Sequence, residues 1–253
     1  GVVTGVAAGS TTITYTVTTN GCTANAQAVV NVNALPTLAA IGGTMNACIG
    51  SSTILTNTTS GGVWTTSNAA VATVNTITGN VTGVTAGTAT ITYTYTNSNG
   101  CTSAVTTTVT INALPVVAAI TGTTSVCEGA TTTLASTTTG GVWSTANTAT
   151  ATINSTTGVV TGVAAGTTTM TYTVTNANGC TSSVSTALVV NAIPQVAAIS
   201  GTTEVCVGLT TALANATASG VWTSSNTAVA TIDASGVVTG VAAGSTTITY
   251  TVT

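Results

Sequence analysis

Residues 167–190 read TTTMTYTVTNANGCTSSVSTALVV. From Thr167 to Thr175 the residues alternate one by one. Met170, Tyr172 and Val174 face one side, and Thr169, Thr171 and Thr173 face the other. That period of two is the pattern of a half-buried β-strand, and no helical period competes with it. Asn176-Ala177-Asn178-Gly179 is a turn signal. The next run alternates again through Val184, Thr186, Leu188 and Val190. The stretch therefore predicts two long strands joined as an antiparallel hairpin.

Shorter strands are expected upstream. Val117–Cys127 is strand-like, with a Thr-Gly interruption, and Glu128-Gly129 marks a turn. Residues 130–137 form a second strand, Val142-Trp143-Ser144 a third, and residues 144–153 a turn and a short strand. Gly158 precedes the strand VVTGV, and Ala164-Ala165-Gly166 turns into the hairpin. About seven short strands with turn signals every 8–12 residues are the signature of an antiparallel sandwich of immunoglobulin type.

The same unit recurs along the chain. Trp64, Trp143 and Trp222 are 79 residues apart, as are Pro36, Pro115 and Pro194. Cys22, Cys101 and Cys180 form one series at that spacing, and Cys48, Cys127 and Cys206 another. Tyr15, Tyr93, Tyr172 and Tyr250 keep nearly the same interval. A repeat of about 79 residues follows. Residues 1–18 and 236–253 are identical, which predicts a stretch of a longer periodic polymer. A second reading has residues 19–33 completing the last domain of a neighbouring chain as an added strand. Domains are expected at 34–113 and 114–192, flanked by partial ones at 1–33 and 193–253, the latter lacking its last strand.

Residues 220–253, GVWTSSNTAVATIDASGVVTGVAAGSTTITYTVT, closely resemble the bacterial immunoglobulin-like group 2 repeat. The WTSSN turn, the VATI strand, the GVVTGVAAG turn and the ITYT strand carry the likeness. The added VCxG and NGC cysteines resemble tandem versions in large secreted surface proteins of Bacteroidota. The resemblance implies all-β, head-to-tail immunoglobulin-like sandwiches acting as stalks or spacers, located outside the cell or on its surface.

Composition excludes most other classes. The chain has 253 residues, of which 69 are Thr, with no Lys, Arg, His or Phe and three acids: Glu128, Glu204 and Asp233. Without a basic side chain, neutralising nucleic-acid phosphates has no agent. Without His or Lys, general acid–base catalysis has almost none. No apolar run approaches the length of a membrane helix. The three acids occupy different places in the repeat, so no recurring metal site is expected. No catalytic residue, cofactor or metal is expected.

The cysteines point to an oxidising compartment. In a sandwich, Cys48, Cys127 and Cys206 end the first strand at the far pole. Cys22, Cys101 and Cys180 open the last strand at the near pole. A strand of about 11 residues spans roughly 35 Å, whereas a disulfide needs Cα atoms within about 7 Å. Pairing across the junction between domains meets that limit and predicts Cys48–Cys180. Cys22 and Cys101 then find partners before residue 1, and Cys127 and Cys206 beyond residue 253. Intradomain pairing, as in Cys127–Cys180, and free thiols are the alternatives.

The expected function is structural: an extracellular filament or surface stalk of disulfide-stapled repeats that associates with itself into a filament or bundle. An adhesin binding glycan or host protein through loops at domain poles is one alternative. Ice binding through the Thr rows (Thr167, Thr169, Thr171 and Thr173; Thr247, Thr249 and Thr251) is another. Asn57, Asn80, Asn154 and Asn215 begin N-x-S/T triplets, mostly a coincidence of so much Thr.

Overall fold

A computed structural model of the chain describes residues 1–252, and no helix occurs among them. Thr, Val and Ile are stiff, β-branched side chains that favour strands. The first strands are β1 (Gly9–Thr19), β2 (Cys22–Val32), β3 (Gly42–Gly43), β4 (Asn46–Cys48), β5 (Ser52–Thr56), β6 (Val63–Thr66), β7 (Ala72–Val74), β8 (Asn80–Gly83), β9 (Gly87–Thr96) and β10 (Thr102–Asn112). The next repeat supplies β11 (Thr121–Gly122), β12 (Ser125–Cys127), β13 (Thr131–Ala135), β14 (Val142–Thr145), β15 (Ala151–Ile153), β16 (Val159–Gly162), β17 (Gly166–Thr175) and β18 (Thr181–Asn191). The last strands are β19 (Ser200–Gly201), β20 (Thr210–Ala214), β21 (Val221–Ser224), β22 (Ala230–Ile232), β23 (Val237–Gly240) and β24 (Ile248–Thr251).

The chain gathers into two compact units. One is Gly1–Ala119 with Ser136–Val142 and Tyr172–Val184; the other is Ile120–Ala135 with Trp143–Thr171 and Ser185–Thr253.

In the first unit, β1 and β2 form a hairpin from Gly9↔Val32 to Thr19↔Cys22. Its two-residue turn is Asn20-Gly21, with φ of +51° and +81°, the combination a tight hairpin turn requires. Two four-stranded sheets follow, in the orders β3-β5-β8-β7 and β4-β10-β9-β6. In immunoglobulin letters these are ABED and A′GFC. Their inner faces bury Leu55, Trp64, Val81, Ile91, Tyr93, Val109 and Ile111 in one cluster.

The second repeat carries the same two orders, β11-β13-β16-β15 and β12-β18-β17-β14. Along β17, Thr168, Met170, Tyr172 and Val174 are buried while their neighbours are not. In β18, Leu188 and Val190 are buried. Burial thus follows the period of two read from the sequence. In the second unit, the sheets β19-β20-β23-β22 and β21-β24 close on Leu213, Ala230 and Val238, with Trp222 and Ile248 packed against them.

One element differs from the sequence expectation. Val117–Cys127 is not a single strand. Residues 117–120 belong to no strand, β11 pairs antiparallel with β13, and β12 pairs parallel with β18. The chain changes sheets at Gly122, where φ is +112° and a Cβ would stand 2.4 Å from the Thr133 carbonyl oxygen. Only glycine tolerates that backbone. Gly43 makes the same break between β3 and β4, with φ of +110°.

The Tyr on the sixth strand has a structural task. In the first repeat the Tyr93 ring stacks at a tilt on Trp64, with centroids 4.6 Å apart. Its hydroxyl donates to the Thr59 carbonyl and accepts the Gly62 N–H at 2.8 Å. Tyr172 does the same for Thr138 and Gly141, and Tyr250 for Thr217 and Gly220. Each Tyr therefore fastens the loop ahead of the Trp strand. Trp64, Tyr93, Trp143 and Tyr172 are core residues.

Candidate functional site

The chemistry of this chain lies in its cysteines. Cys48 ends β4, where the parallel ladder sets it opposite Asn112 at the end of β10. Cys180 closes the turn between β17 and β18, is 1 % exposed, and its sulfur lies 4.0 Å from the Asn112 carbonyl oxygen. The two are joined by a disulfide with Cα atoms 5.7 Å apart, across 132 residues of sequence. All of these groups lie in the first unit. The bond links one 79-residue repeat to the next.

The other cysteines are free thiols, yet two repeat these surroundings. Cys101 precedes β10 as Cys180 precedes β18, and its sulfur lies 3.8 Å from the Asn33 carbonyl oxygen. Cys127 stands opposite Asn191 in a parallel ladder, as Cys48 stands opposite Asn112. Cys22 and Cys206 are exposed.

The acids serve the backbone. Glu128 accepts the Ala165 N–H at 2.7 Å and ties two loops together. Asp233 accepts the Ser235 hydroxyl at 2.6 Å and the N–H groups of Ser235 and Val237, both at 2.9 Å. Asn75 and Asn154 hold the corresponding turn of the earlier repeats, which is one residue longer, by accepting the N–H groups two and three residues on. No group of three or more His, Cys, Asp or Glu capable of holding a metal occurs among the described residues.

The Ser235 hydroxyl first, and the Val237 N–H next, hold the Asp233 carboxyl below its ordinary value, against a small opposing effect of burial. Its folded pKa is thus below its unfolded one. The stabilisation is present above the unfolded value and is lost as pH falls through the folded one. The melting temperature of the last repeat is expected to drop below about pH 4. Asp233→Asn keeps an Oδ1 acceptor for the Ser235 and Val237 N–H groups and should flatten that acid limb. Thermal melts from pH 7 to pH 2 check this.

Some hydroxyls pair across neighbouring strands. Thr96 meets Thr102 at 2.9 Å, and Thr171 meets Ser185 at 3.1 Å, cross-strand contacts of the kind that stabilise sheets. Of the N-x-S/T asparagines, Asn57 and Asn215 are engaged in holding loops, donating to Ala39 and Ala197. A groove of about 560 Å³ in the second unit is lined by Leu213, Val229, Val238 and Ile248 among others. In the first repeat the matching Leu55, Val81 and Ile91 are buried core with Val71 packed on them, so these are core positions.

Residues 51–106 and 188–253 match the family model of the bacterial Ig-like domain (group 2). With the ABED and A′GFC sheets, that decides the architecture. The chain is a tandem array of immunoglobulin-like domains. Among solved structures the array is similar to a C-terminal 282-residue fragment of intimin, determined in complex with the intimin-binding domain of its translocated receptor. The identity is 16%, over 66% of this chain and 67% of that one, with a TM-score of 0.33. It is also similar to a Ca2+-stabilized adhesin with which an Antarctic bacterium binds ice, at 13% identity over 95% and 80% of the two chains, TM-score 0.36. Cadherin domains 3–6 of protocadherin gamma B2 match at 11% identity over 93% and 76%, TM-score 0.27. At these identities the likeness is one of fold alone. No curated protein matches the array. No helix among the described residues is long and apolar enough to cross a membrane.

Proposed function

We propose that this array is a load-bearing segment of an extracellular filament or surface stalk. Its domains are residues 34–113 and 114–192, with parts of two more at 1–33 and 193–253. The reading rests on one observation, the bond between Cys48 and Cys180 in successive repeats. A covalent path from Cys22 to Cys206 runs 26 residues to Cys48, crosses the disulfide, and runs 26 more from Cys180. Residues 49–179 lie off that path. Tension along it is carried by residues 22–48 and 180–206, which include β4 and β18, and bypasses the rest of both domains.

Cys101 and Cys22 take partners in repeats ahead of them, and Cys127 and Cys206 in repeats behind. The matched surroundings of Cys101 with Cys180, and of Cys127 with Cys48, support this. Each closed loop then overlaps the next. Such bonds persist outside the cytosol, which favours a surface location. No side chain here activates a Ser or Thr as a nucleophile, so the role is mechanical and not enzymatic. Contacts between filaments pass through uncharged Thr and Ser faces and depend little on salt.

Peptide mapping without reduction tests the proposal. The chain has no tryptic site, so pepsin or thermolysin is used. The expected product is a Cys48–Cys180 peptide; a Cys127–Cys180 peptide, or free thiols at both positions, would refute the staple.

A further inference from the structure

The turn that carries Cys180 makes a second connection to the preceding repeat, and it is not covalent. The Asn176 Oδ1 accepts the N–H groups of Asn178 and Cys180, both at 3.0 Å. Its Nδ2 donates to the Ala113 carbonyl oxygen at 2.9 Å. Ala113 directly follows Asn112, the residue opposite Cys48. One amide thus holds the Cys180 backbone with its oxygen and the linker with its nitrogen.

The previous junction shows the same arrangement without a disulfide. Asn97 Oδ1 accepts the N–H groups of Asn99 and Cys101 at 3.0 Å, and its Nδ2 donates to the Ala34 carbonyl oxygen at 3.3 Å. Cys101 is a free thiol there, yet its sulfur is already 3.8 Å from the Asn33 oxygen. The clamp is therefore present at both junctions, and it is shorter where the disulfide is made, 2.9 Å against 3.3 Å.

We infer that Asn176 is a positioning residue for the Cys48–Cys180 bond: it holds the Cys180 thiol against the linker before oxidation and keeps the junction in register. This rests on the staple proposed above. Oxidation itself needs an external disulfide. The two thiols give up two protons and two electrons, and one oxidised glutathione takes them and becomes two reduced glutathiones. Preorganisation raises the effective concentration of one thiol at the other and shifts that exchange toward the protein disulfide.

Asn176→Asp is the sharp variant. It keeps an acceptor for the turn but replaces the donor with a carboxylate facing the Ala113 carbonyl. The full chain is equilibrated in glutathione buffers of graded ratio, quenched, and scored for the Cys48–Cys180 peptide. The N176D midpoint is expected to move about five- to tenfold toward more oxidising ratios. A wild-type bond with an unmoved N176D midpoint overturns the clamp and leaves the staple. A wild-type chain without the peptide overturns the staple and the clamp together. Asn97→Ser gives a second reading that does not depend on oxidation or on folding of the second repeat: it keeps a neutral acceptor for the turn and removes the donor to Ala34. Alkylation of Cys101 should speed up about fivefold; an unchanged rate counts against the clamp.

Discussion

Stretched from its two ends with the Cys48–Cys180 bond intact, the array is expected to lengthen only by residues outside that bond. Reduction should then release a further total extension of roughly 450 Å, since 132 residues at about 3.4 Å each become available. Single-molecule pulling with and without reductant measures it directly. The Cys48→Ser variant should show the full length from the start. An oxidised chain that extends as far as the reduced one would mean that force does not travel through the disulfide. The same bond constrains the unfolded chain, by about 5 kcal/mol in the loop-entropy model. Its larger consequence is mechanical, because a covalent shortcut limits slack even when a domain opens.

Trp64→Ala should be the most damaging core substitution in the first repeat. Trp64 is 3 % exposed on β6 and stacks on Tyr93. Its indole lies so close to Gly79 that a Cβ there would come within 2.9 Å of the ring. Rigid backbone on one side and a hydrogen-bonded Tyr on the other leave little room to collapse into the cavity. A cost of about 3–5 kcal/mol is expected, equivalent to a fall of roughly 15 °C or more for a domain of this size. Near-UV circular dichroism and calorimetry would follow it. Val63→Ala, one residue away on the outward face and 51 % exposed, should stay within about 0.5 kcal/mol. Comparable losses for the two would contradict the placement of the indole in the core.

The surface, with three acids and no basic residue, follows from the same economy of residue types. Native edge strands are often guarded by Lys or other charges, and this chain has no basic residue at all. Its sheets present paired hydroxyls, as at Thr96–Thr102 and Thr171–Ser185.

Much of the architecture was legible from residue order alone. The 79-residue period is visible because Trp, Pro, Tyr and two cysteine series share one register. The inward positions of β17 and β18 are visible because a strand's side chains alternate between two faces, a rule that needs only neighbouring residues. The fate of the first strand was not legible. Val117–Cys127 looks continuous, but it divides between two sheets, because Gly122 bends the backbone where the Thr133 carbonyl approaches. The role of Asn176 was hidden for a similar reason. An Asn in a turn is ordinary, and only its approach to Ala113, 63 residues earlier, makes it a clamp. Sequence alone determined the repeat, the strands and their buried faces, since these depend on local alternation and turn chemistry. Tertiary structure alone decided which strand joins which sheet and which groups meet at the junction, since those contacts exist only after the chain has closed loops of 63 and 132 residues.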